Sequence, residues 1–237
     1  MASPMHTEFV HIPAGAAHVE GMLELPPDPV GVVLFAHGSG SSRFSPRNNA
    51  VAGALRNARI GTLLVDLLTP QEDQTYRTRF DIALLTQRLQ LAAERLHTLP
   101  RTRALPIGLF GASTGAAAAL RLAAAQGSEI AAVVSRGGRP DMAGLPALNK
   151  VAAPTLLIVG SLDTAVIELN QIAYAALHCA KRLEIVRGAG HLFEENGKLE
   201  AVSALAGDWF LRHMGAGESE GRPPRPPAAG RDEKRAH

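Results

Sequence analysis

One serine, in a glycine-flanked pentapeptide, is the residue of this chain best placed to act as a nucleophile. Ser113 lies in the sequence Gly-Ala-Ser-Thr-Gly at residues 111–115, after an apolar run and before an alanine-rich stretch. A strand, a sharp turn and a helix in that order expose the serine hydroxyl at the end of a sheet. The same pattern recurs at residues 217–221, but no apolar run precedes it and no apolar helix pattern follows it. The context therefore favours Ser113 as a nucleophile for acyl transfer.

A nucleophilic serine needs a base, and the base needs an acid that orients it. Asp163 directly follows an apolar run at residues 155–159, and His191 follows the next run in a glycine-rich loop. If both runs are parallel strands, these side chains lie beyond the carboxyl ends, at the same edge of the sheet as Ser113. Of the nine histidines, only His191 has this position. The order Ser, Asp, His is also the one used by hydrolases with this type of turn. We therefore predict a catalytic triad of Ser113, Asp163 and His191.

Acyl transfer also needs N–H donors for the oxygen that becomes negative. The backbone N–H of Thr114 is the first candidate, since it opens the predicted helix and benefits from its positive end. The second is expected in the turn at residues 37–43, His-Gly-Ser-Gly-Ser-Ser-Arg, with the Ser39 amide preferred and Gly40 as second choice. The alternative is that this segment is only a flexible turn. His37 precedes the glycines and is interpreted as a structural histidine.

The elements that must position these residues alternate along the chain. Apolar strand-like runs are separated by helical patterns from residue 30 onward, which predicts an α/β fold with a mostly parallel central sheet and helices on both faces. Residues 8–12 and 18–25 alternate apolar and polar side chains and read as an antiparallel opening pair. Predicted strands then lie at residues 31–36, 62–65, 106–110, 131–134, 155–159 and 182–186. Residues 67–79 are interpreted as an irregular polar connection.

Length and composition are consistent with one enzyme-sized domain. The chain has 237 residues, 46% of them apolar, and a net charge of +2, which does not predict nucleic-acid binding. We expect a single domain over residues 1–214 and a disordered tail over residues 215–237, where Gly, Pro, Glu and Arg dominate. No run reaches the length of a membrane span and residues 1–10 lack the core of a secretory signal, so we expect a cytoplasmic protein without membrane contact. The single cysteine, Cys179, is predicted to pack within a helix at residues 169–180.

Taken together, the motifs resemble those of the α/β-hydrolases, and within them the dienelactone hydrolase-like group. The resemblance rests on the segments at residues 37–41, 111–115, 160–163 and 190–191 and covers nearly all of residues 5–214. It implies hydrolysis of carboxylic esters or lactones, without a metal or organic cofactor, by a small enzyme without a large inserted lid. Dienelactone hydrolases in the strict sense carry a cysteine nucleophile. Ser113 therefore favours a general esterase over a dienelactone specialist.

Four residues are candidates for substrate binding. Arg43 follows the predicted oxyanion turn, and Arg136 and Arg139 follow the strand at residues 131–134. A guanidinium group matches a carboxylate or phosphate on a substrate. The alternative is that these arginines are solvated charges of their loops or hold the loops together. Tyr76, in the irregular connection, either covers the acyl pocket or belongs to a surface loop.

Other functions remain open from the sequence. The nearest are acyl transfer to an acceptor other than water and attack on a phosphotriester, because both use the same serine and oxyanion donors. A different class is a non-catalytic binding module that keeps the hydrolase fold. The intact set of Ser113, Asp163 and His191 argues against that class, since a receptor does not need all three. The oligomeric state, the chain-length preference and the physiological substrate are not determined by the sequence.

Overall fold

A single eight-stranded sheet organises the molecule. The computed structural model describes residues 4–15 and 17–215. The strands are β1 (His6–Ala14), β2 (Ala17–Leu25), β3 (Gly31–Ala36), β4 (Ile60–Val65), β5 (Ile107–Ala112), β6 (Ile130–Arg136), β7 (Thr155–Gly160) and β8 (Lys181–Val186). Their order across the sheet is β1-β2-β4-β3-β5-β6-β7-β8. β1 and β2 pair antiparallel with each other, β2 pairs antiparallel with β4, and β3 to β8 are parallel. The predicted opening pair and mostly parallel sheet are confirmed.

Helices cover both faces of the sheet. They are α1 (Pro46–Asn57), α2 (Tyr76–Arg79), α3 (Ile82–Thr98), α4 (Thr114–Gln126), α5 (Leu145–Leu148), α6 (Thr164–Ala176) and α7 (Lys198–Met214), with single 3₁₀ turns at Glu72–Gln74, Gly127–Glu129 and Pro140–Ala143. One buried apolar cluster joins the sheet to α3 and α4, and a second joins it to α1 and α7. Central strands such as β3 and β5 are buried along their whole length because helices pack on each side. The predicted α/β architecture is therefore confirmed.

The helix that follows β3, α1, begins at residues whose types favour a helix start. Ser45 accepts a hydrogen bond from the Asn48 N–H through its side chain, and Pro46 occupies the first turn. The helix ends at Asn57, and β4 starts after two residues of turn, so Gly61 lies inside that strand.

Two other expectations on the chain's organisation have different outcomes. The predicted helix at residues 169–180 extends too far, because α6 ends at Ala176 and Leu177 already has extended backbone angles. The prediction that Cys179 lies within a helix is therefore wrong. Cys179 nevertheless packs against the core as expected, with its Sγ 3.7 Å from Thr155 Oγ1. The predicted tail lies outside the described residues except for Gly215, so its disorder stays a prediction. In the described part of the chain, no helix combines the length and apolar character needed to cross a membrane.

Candidate active site

Ser113 occupies a strained turn between β5 and α4. Its backbone has φ 50° and ψ −120°, a conformation that residues with a side chain rarely adopt. The flanking glycines make the turn possible. A Cβ on Gly111 would lie 2.4 Å from Ala116 Cα, and one on Gly115 would lie 2.2 Å from Ala36 O. The two glycines thus allow α4 to start directly against β5 and the end of β3. This is the strand, turn and helix that the sequence predicts around the serine.

The loop after β3 packs directly on this turn. A Cβ on Gly38 would lie 3.0 Å from Ser113 Cβ, so only glycine allows such a close approach without displacement. The Ser39 N–H donates a hydrogen bond to Thr114 Oγ1 at 2.9 Å, and Gly40 has φ 68°. The loop is therefore packed against Ser113 and hydrogen-bonded to Thr114. The amide preferred as second oxyanion donor is, however, already engaged by the threonine hydroxyl.

Asp163 and His191 meet across two neighbouring loops. His191 Nδ1 lies 2.6 Å from Asp163 Oδ2, so the ring donates its Nδ1 proton to the carboxylate and leaves Nε2 free to accept one. The loops are joined by the Leu162 N–H, which donates to Ala189 O at 2.9 Å. Gly160 permits this approach, because a Cβ there would lie 2.3 Å from that same carbonyl oxygen. The carboxyl ends of β7 and β8 thus bring together two residues that are distant in the sequence.

Ser113 and His191 line one cavity of about 200 Å³ at the carboxyl ends of the strands. Gly38 and Ser39 line the same cavity, so the serine, the histidine and the predicted oxyanion loop surround one space. The site residues that the sequence predicts for catalysis are therefore brought together. Their arrangement suits a nucleophilic attack in which a histidine accepts the serine proton and a half-buried carboxylate orients the histidine.

Arg136, at the end of β6, also lines this cavity and is nearly unpaired. The residue is buried, with only 6% of its surface exposed. Its one hydrogen bond within the described chain runs to Leu192 O at a long 3.4 Å, and its Nε has no partner there. The guanidinium lies 5.9 Å from the ring centre of Phe193. Burial, and after it the charge of Arg47, lowers the pKa of Arg136 to about 10, so the group remains a cation at neutral pH.

Two further polar residues of the cavity were missed by sequence reasoning. Arg47 and Asn48, in the first turn of α1, both line it, and within the described residues Arg47 Nε and Asn48 Oδ1 are buried without a partner. Arg47 pairs with Glu194 through its terminal nitrogen. The one sign in the sequence is that a basic and an amide side chain, Arg47 and Asn48, directly follow the Ser-Pro pair at the helix start. No local pattern, however, predicts that this turn faces Ser113.

Three sequence candidates do not line this cavity. Arg43 is held by Asp66, which accepts from its backbone N–H at 2.7 Å and from its guanidinium, and by Glu20. It lines a separate cavity of about 620 Å³. Arg139 forms a two-pronged pair with Asp141, at 2.8 and 2.7 Å, and does not line the cavity with Ser113.

Tyr76 is the third of these candidates. It is 75% exposed and stacks on Phe80 with the ring centres 4.7 Å apart. Like Arg43 and Arg139, it is absent from the lining of the cavity that holds Ser113. The structure therefore brings only Arg136 of the four substrate-binding candidates into contact with that cavity.

His37 has a structural position, as expected. Its Nδ1 lies 2.9 Å from Gly38 O, and its Nε2 accepts a hydrogen bond from the Leu67 N–H at 3.0 Å. Both ring nitrogens are therefore engaged, and the Nε2 contact joins the loop after β3 to the loop after β4. Burial lowers the pKa of His37, which favours the neutral ring that this pair of contacts needs.

Potential metal ligands lie outside this cavity. Among the described residues, one group of histidine and acidic side chains is close enough to share an ion, and it consists of His11, His18 and Glu20 on β1 and β2. None of the three lines the cavity with Ser113.

The mostly parallel sheet, with a strained serine turn after its central strand, defines an α/β-hydrolase. Comparison with known structures narrows this class. The chain is 49% identical to a dienelactone hydrolase from Anabaena variabilis, with a TM-score of 0.85 over 88% of this chain and 98% of that one. The chain belongs to the dienelactone hydrolase family of the α/β-hydrolases.

Other comparisons are more distant or only partial. An esterase domain from Rhodothermus marinus has a TM-score of 0.71 at 20% identity, over 88% of this chain and 99% of that one, which is a likeness of fold. No family model matches the chain. A Mycobacterium tuberculosis protein named "Putative phosphoribosyl transferase" is 53% identical over 211 residues, which are 89% of this chain and 47% of the relative. The chain thus spans about half the length of the curated relatives it matches.

Proposed function

We propose that this protein is a serine hydrolase that cleaves carboxylic esters or lactones through an acyl-enzyme on Ser113. The observation that carries the proposal is the cavity shared by Ser113 at its strained turn and His191, whose ring is oriented by Asp163 at 2.6 Å. The family to which the chain belongs, and the esterases among its structural neighbours, support the same reaction class. The serine in place of a cysteine supports a general esterase rather than a dienelactone specialist.

In the acylation step, Ser113 Oγ attacks the carbonyl carbon of the ester while His191 Nε2 accepts the hydroxyl proton. The carbonyl oxygen becomes an oxyanion, which accepts hydrogen bonds from the Thr114 N–H and from an amide of the loop after β3. We keep Ser39 as the first candidate for that amide and Gly40 as the second. For Ser39 to act as an oxyanion donor, its N–H must either leave the Thr114 hydroxyl for the substrate oxygen or donate to both oxygens at once. The C–O bond then breaks, and the alkoxide leaves with the proton from His191.

In the second step, water attacks the acyl carbon and His191 accepts one of its protons. The bond to Ser113 Oγ breaks, and the serine recovers its proton from the histidine as the carboxylic acid is released. Asp163 keeps the Nδ1 proton in place and stabilises the imidazolium in both steps. A lactone follows the same path, with its leaving alkoxide still attached to the acyl group.

The preferred substrate, we propose, carries an anionic group. Two guanidinium groups, of Arg136 and Arg47, face one cavity, and the charge of Arg47 adds to the effect of burial in lowering the pKa of Arg136. Both Nε atoms are buried without a partner among the described residues. A carboxylate or phosphate accepts two parallel hydrogen bonds from such a group. An anion bound there would relieve the repulsion between the two cations and satisfy the open donors. Its place beside Ser113 would then select esters with a charge close to the scissile bond.

The experiment that tests the reaction class combines a substrate panel with one variant. Nitrophenyl esters of increasing acyl length, a lactone and a phosphotriester are compared on the wild-type protein and on Ser113→Ala. We expect ester or lactone hydrolysis, with a loss of about 10⁶-fold in the variant, the scale of triad deletions in other hydrolases. Labelling by a fluorophosphonate should occur on the wild-type protein alone. Unchanged turnover in Ser113→Ala would refute the assignment of the nucleophile.

The same experiment separates the competing functions. Product analysis with an added alcohol or amine distinguishes hydrolysis from acyl transfer, and the phosphotriester reports attack at phosphorus. A non-catalytic binding module would hydrolyse no ester and would not be labelled at Ser113. The transferase name of the mycobacterial relative belongs to a longer protein, of which this chain spans only 47%, and the cavity of Ser113 and His191 supports hydrolysis instead.

A further inference from the structure

Three potential metal ligands converge on the outer face of the β1–β2 hairpin. His11, His18 and Glu20 each offer one ligand atom, and these atoms all lie within 4.8 Å of one another. Both histidines are exposed and the glutamate is half-buried. The imidazole rings of His11 and His18 lie 5.1 Å apart and meet edge to face at 73°. This cluster is separate from the cavity of Ser113 and is not used by the proposed reaction.

The antiparallel ladder explains why the three side chains meet. Val10 and Ile12 of β1 and Val19 of β2 are buried, so the alternate residues His11, His18 and Glu20 point away from the core. Glu20 stands directly opposite His11, and His18 is two residues before Glu20 on the same strand. Directly opposed and diagonal side chains on one face of such a pair are within contact distance. The backbone pairing, rather than a flexible loop, thus sets the positions of all three ligands.

The carboxylate ligand is oriented by groups behind it. Glu20 Oε2 accepts a hydrogen bond from the Arg43 guanidinium, which is itself held by Asp66. The Asp66 N–H donates to Glu20 O at 2.9 Å, so the strand and the arginine are fixed to the same residue. This leaves the second carboxylate oxygen of Glu20 to bind an ion. Ligands of metal sites are commonly oriented by such outer hydrogen bonds, whose removal weakens metal binding.

We propose that His11, His18 and Glu20 bind a divalent transition-metal ion, with Zn²⁺ as the reference case. Two imidazoles and one carboxylate are a ligand set that zinc accepts, with water in the fourth position, whereas Ca²⁺ and Mg²⁺ prefer oxygen ligands alone. With bonds of about 2.0–2.2 Å, tetrahedral geometry needs ligand atoms roughly 3.4 Å apart. The side chains must therefore close from the 4.8 Å limit, which the two exposed histidines can do by rotation.

A bound ion would join β1 to β2 through their side chains at the edge of the sheet. It would also add positive charge beside the Glu20–Arg43–Asp66 chain of contacts, which reaches the loop after β3. The ion would therefore stabilise the pairing of β1 with β2. The site does not depend on the proposed ester hydrolysis, since neither histidine lines the cavity with Ser113.

Isothermal titration of the full chain, without an added histidine tag, tests the proposal with ZnCl₂. We expect one ion per chain, and binding at least about tenfold weaker in His11→Ala and His18→Ala. His6→Ala is the matched control: it removes another partly exposed histidine of β1, which has a single acidic neighbour, Glu8, at 3.1 Å. It should bind as the wild type does. With Co²⁺ in place of Zn²⁺, the visible absorption of a four-coordinate ion should appear in the wild type and be lost in His18→Ala.

Two further variants make the result specific. Arg43→Lys, which removes the guanidinium that bridges Glu20 and Asp66, should weaken Zn²⁺ binding by about 10- to 100-fold. His191→Ala should leave it unchanged, which separates the site from the Asp163–His191 pair. Thermal unfolding of each metal-free variant verifies that it is folded. Equal Zn²⁺ affinity in the wild type and His18→Ala, an equal loss in His6→Ala, or no binding at millimolar Zn²⁺ would each overturn the proposal.

Discussion

Replacing Arg136 by methionine should stabilise the fold while it damages the use of anionic substrates. The structure gives the magnitude. Burial and the neighbouring Arg47 lower the pKa of Arg136 to about 10. A pKa shift of that size corresponds to about 3 kcal/mol of cost for holding the charge in the folded protein. The unfolded chain binds the proton up to a higher pH, so this cost is fully present at neutral pH and is relieved only as the pH rises through 10.

Methionine would remove the charge and keep an unbranched side chain of similar length. The losses are the 3.4 Å hydrogen bond to Leu192 O and the contact with the Phe193 ring at 5.9 Å, each worth about 1 kcal/mol or less. We therefore expect a net gain of about 1–2 kcal/mol, which corresponds to roughly 3–6 °C in Tm for a chain of this length.

The assay for this prediction has two parts. Urea and thermal unfolding of wild-type and Arg136→Met protein give the stability change, and Arg139→Met serves as the control, because its exposed pair with Asp141 should change stability by only ~0.5 kcal/mol. Hydrolysis of the 4-nitrophenyl half-ester of succinate is then compared with that of 4-nitrophenyl butyrate. Loss of a buried charge partner should lower kcat/KM for the half-ester by at least about 30-fold, or 2 kcal/mol. Kinetics for the neutral ester should stay within about threefold.

The reasoning would be refuted by either of two results. A loss of more than 1 kcal/mol of stability in Arg136→Met would mean that the arginine is a net structural contact rather than an uncompensated charge. An equal fall in kcat/KM for both esters would mean that it supports the site in general and does not read the charge of the substrate.

Three other predictions follow from backbone and burial. Ser113→Gly should abolish ester hydrolysis and raise the free energy of unfolding by roughly 1 kcal/mol, because glycine accepts the φ of 50° without strain. A variant less stable than the wild type would contradict this. Gly115→Ala should lose several kcal/mol of stability, because the added Cβ would lie 2.2 Å from Ala36 O. Gly53→Ala is the control inside α1, where the added Cβ would meet its nearest neighbour at 3.8 Å, and it should gain about 0.5–1 kcal/mol in urea unfolding. Burial lowers the pKa of His37, so stability should fall as the pH drops below about 6.5, and His37→Gln should flatten that slope in unfolding curves measured from pH 7 to 5.

Much of the fold could be predicted because the sequence encodes it locally. The apolar run before Ser113, the glycines around it and the small residues after it specify a strand, a turn and a helix without reference to other parts of the chain. Ser45 and Pro46 likewise mark a helix start by their own capping chemistry. The error at Cys179 has the complementary cause, since apolar residues continue past Ala176 although the helix does not, and no strong stop signal stands there.

The order of the three predicted catalytic residues and their places after strands were also readable from the sequence, because the carboxyl ends of parallel strands share one edge of the sheet. The tertiary structure decided which polar groups share the cavity. Arg47 shares a cavity with Ser113 and Arg136 because α1 packs against β4 and α7, which brings its first turn to the carboxyl ends of the strands. Arg43, four residues earlier, is instead bound by Asp66 and Glu20. Thr114 engages the Ser39 amide for the same kind of reason. Local patterns fix periodicity and capping, but a side chain's partners depend on which strands become neighbours, and that is settled only when the whole sheet is assembled.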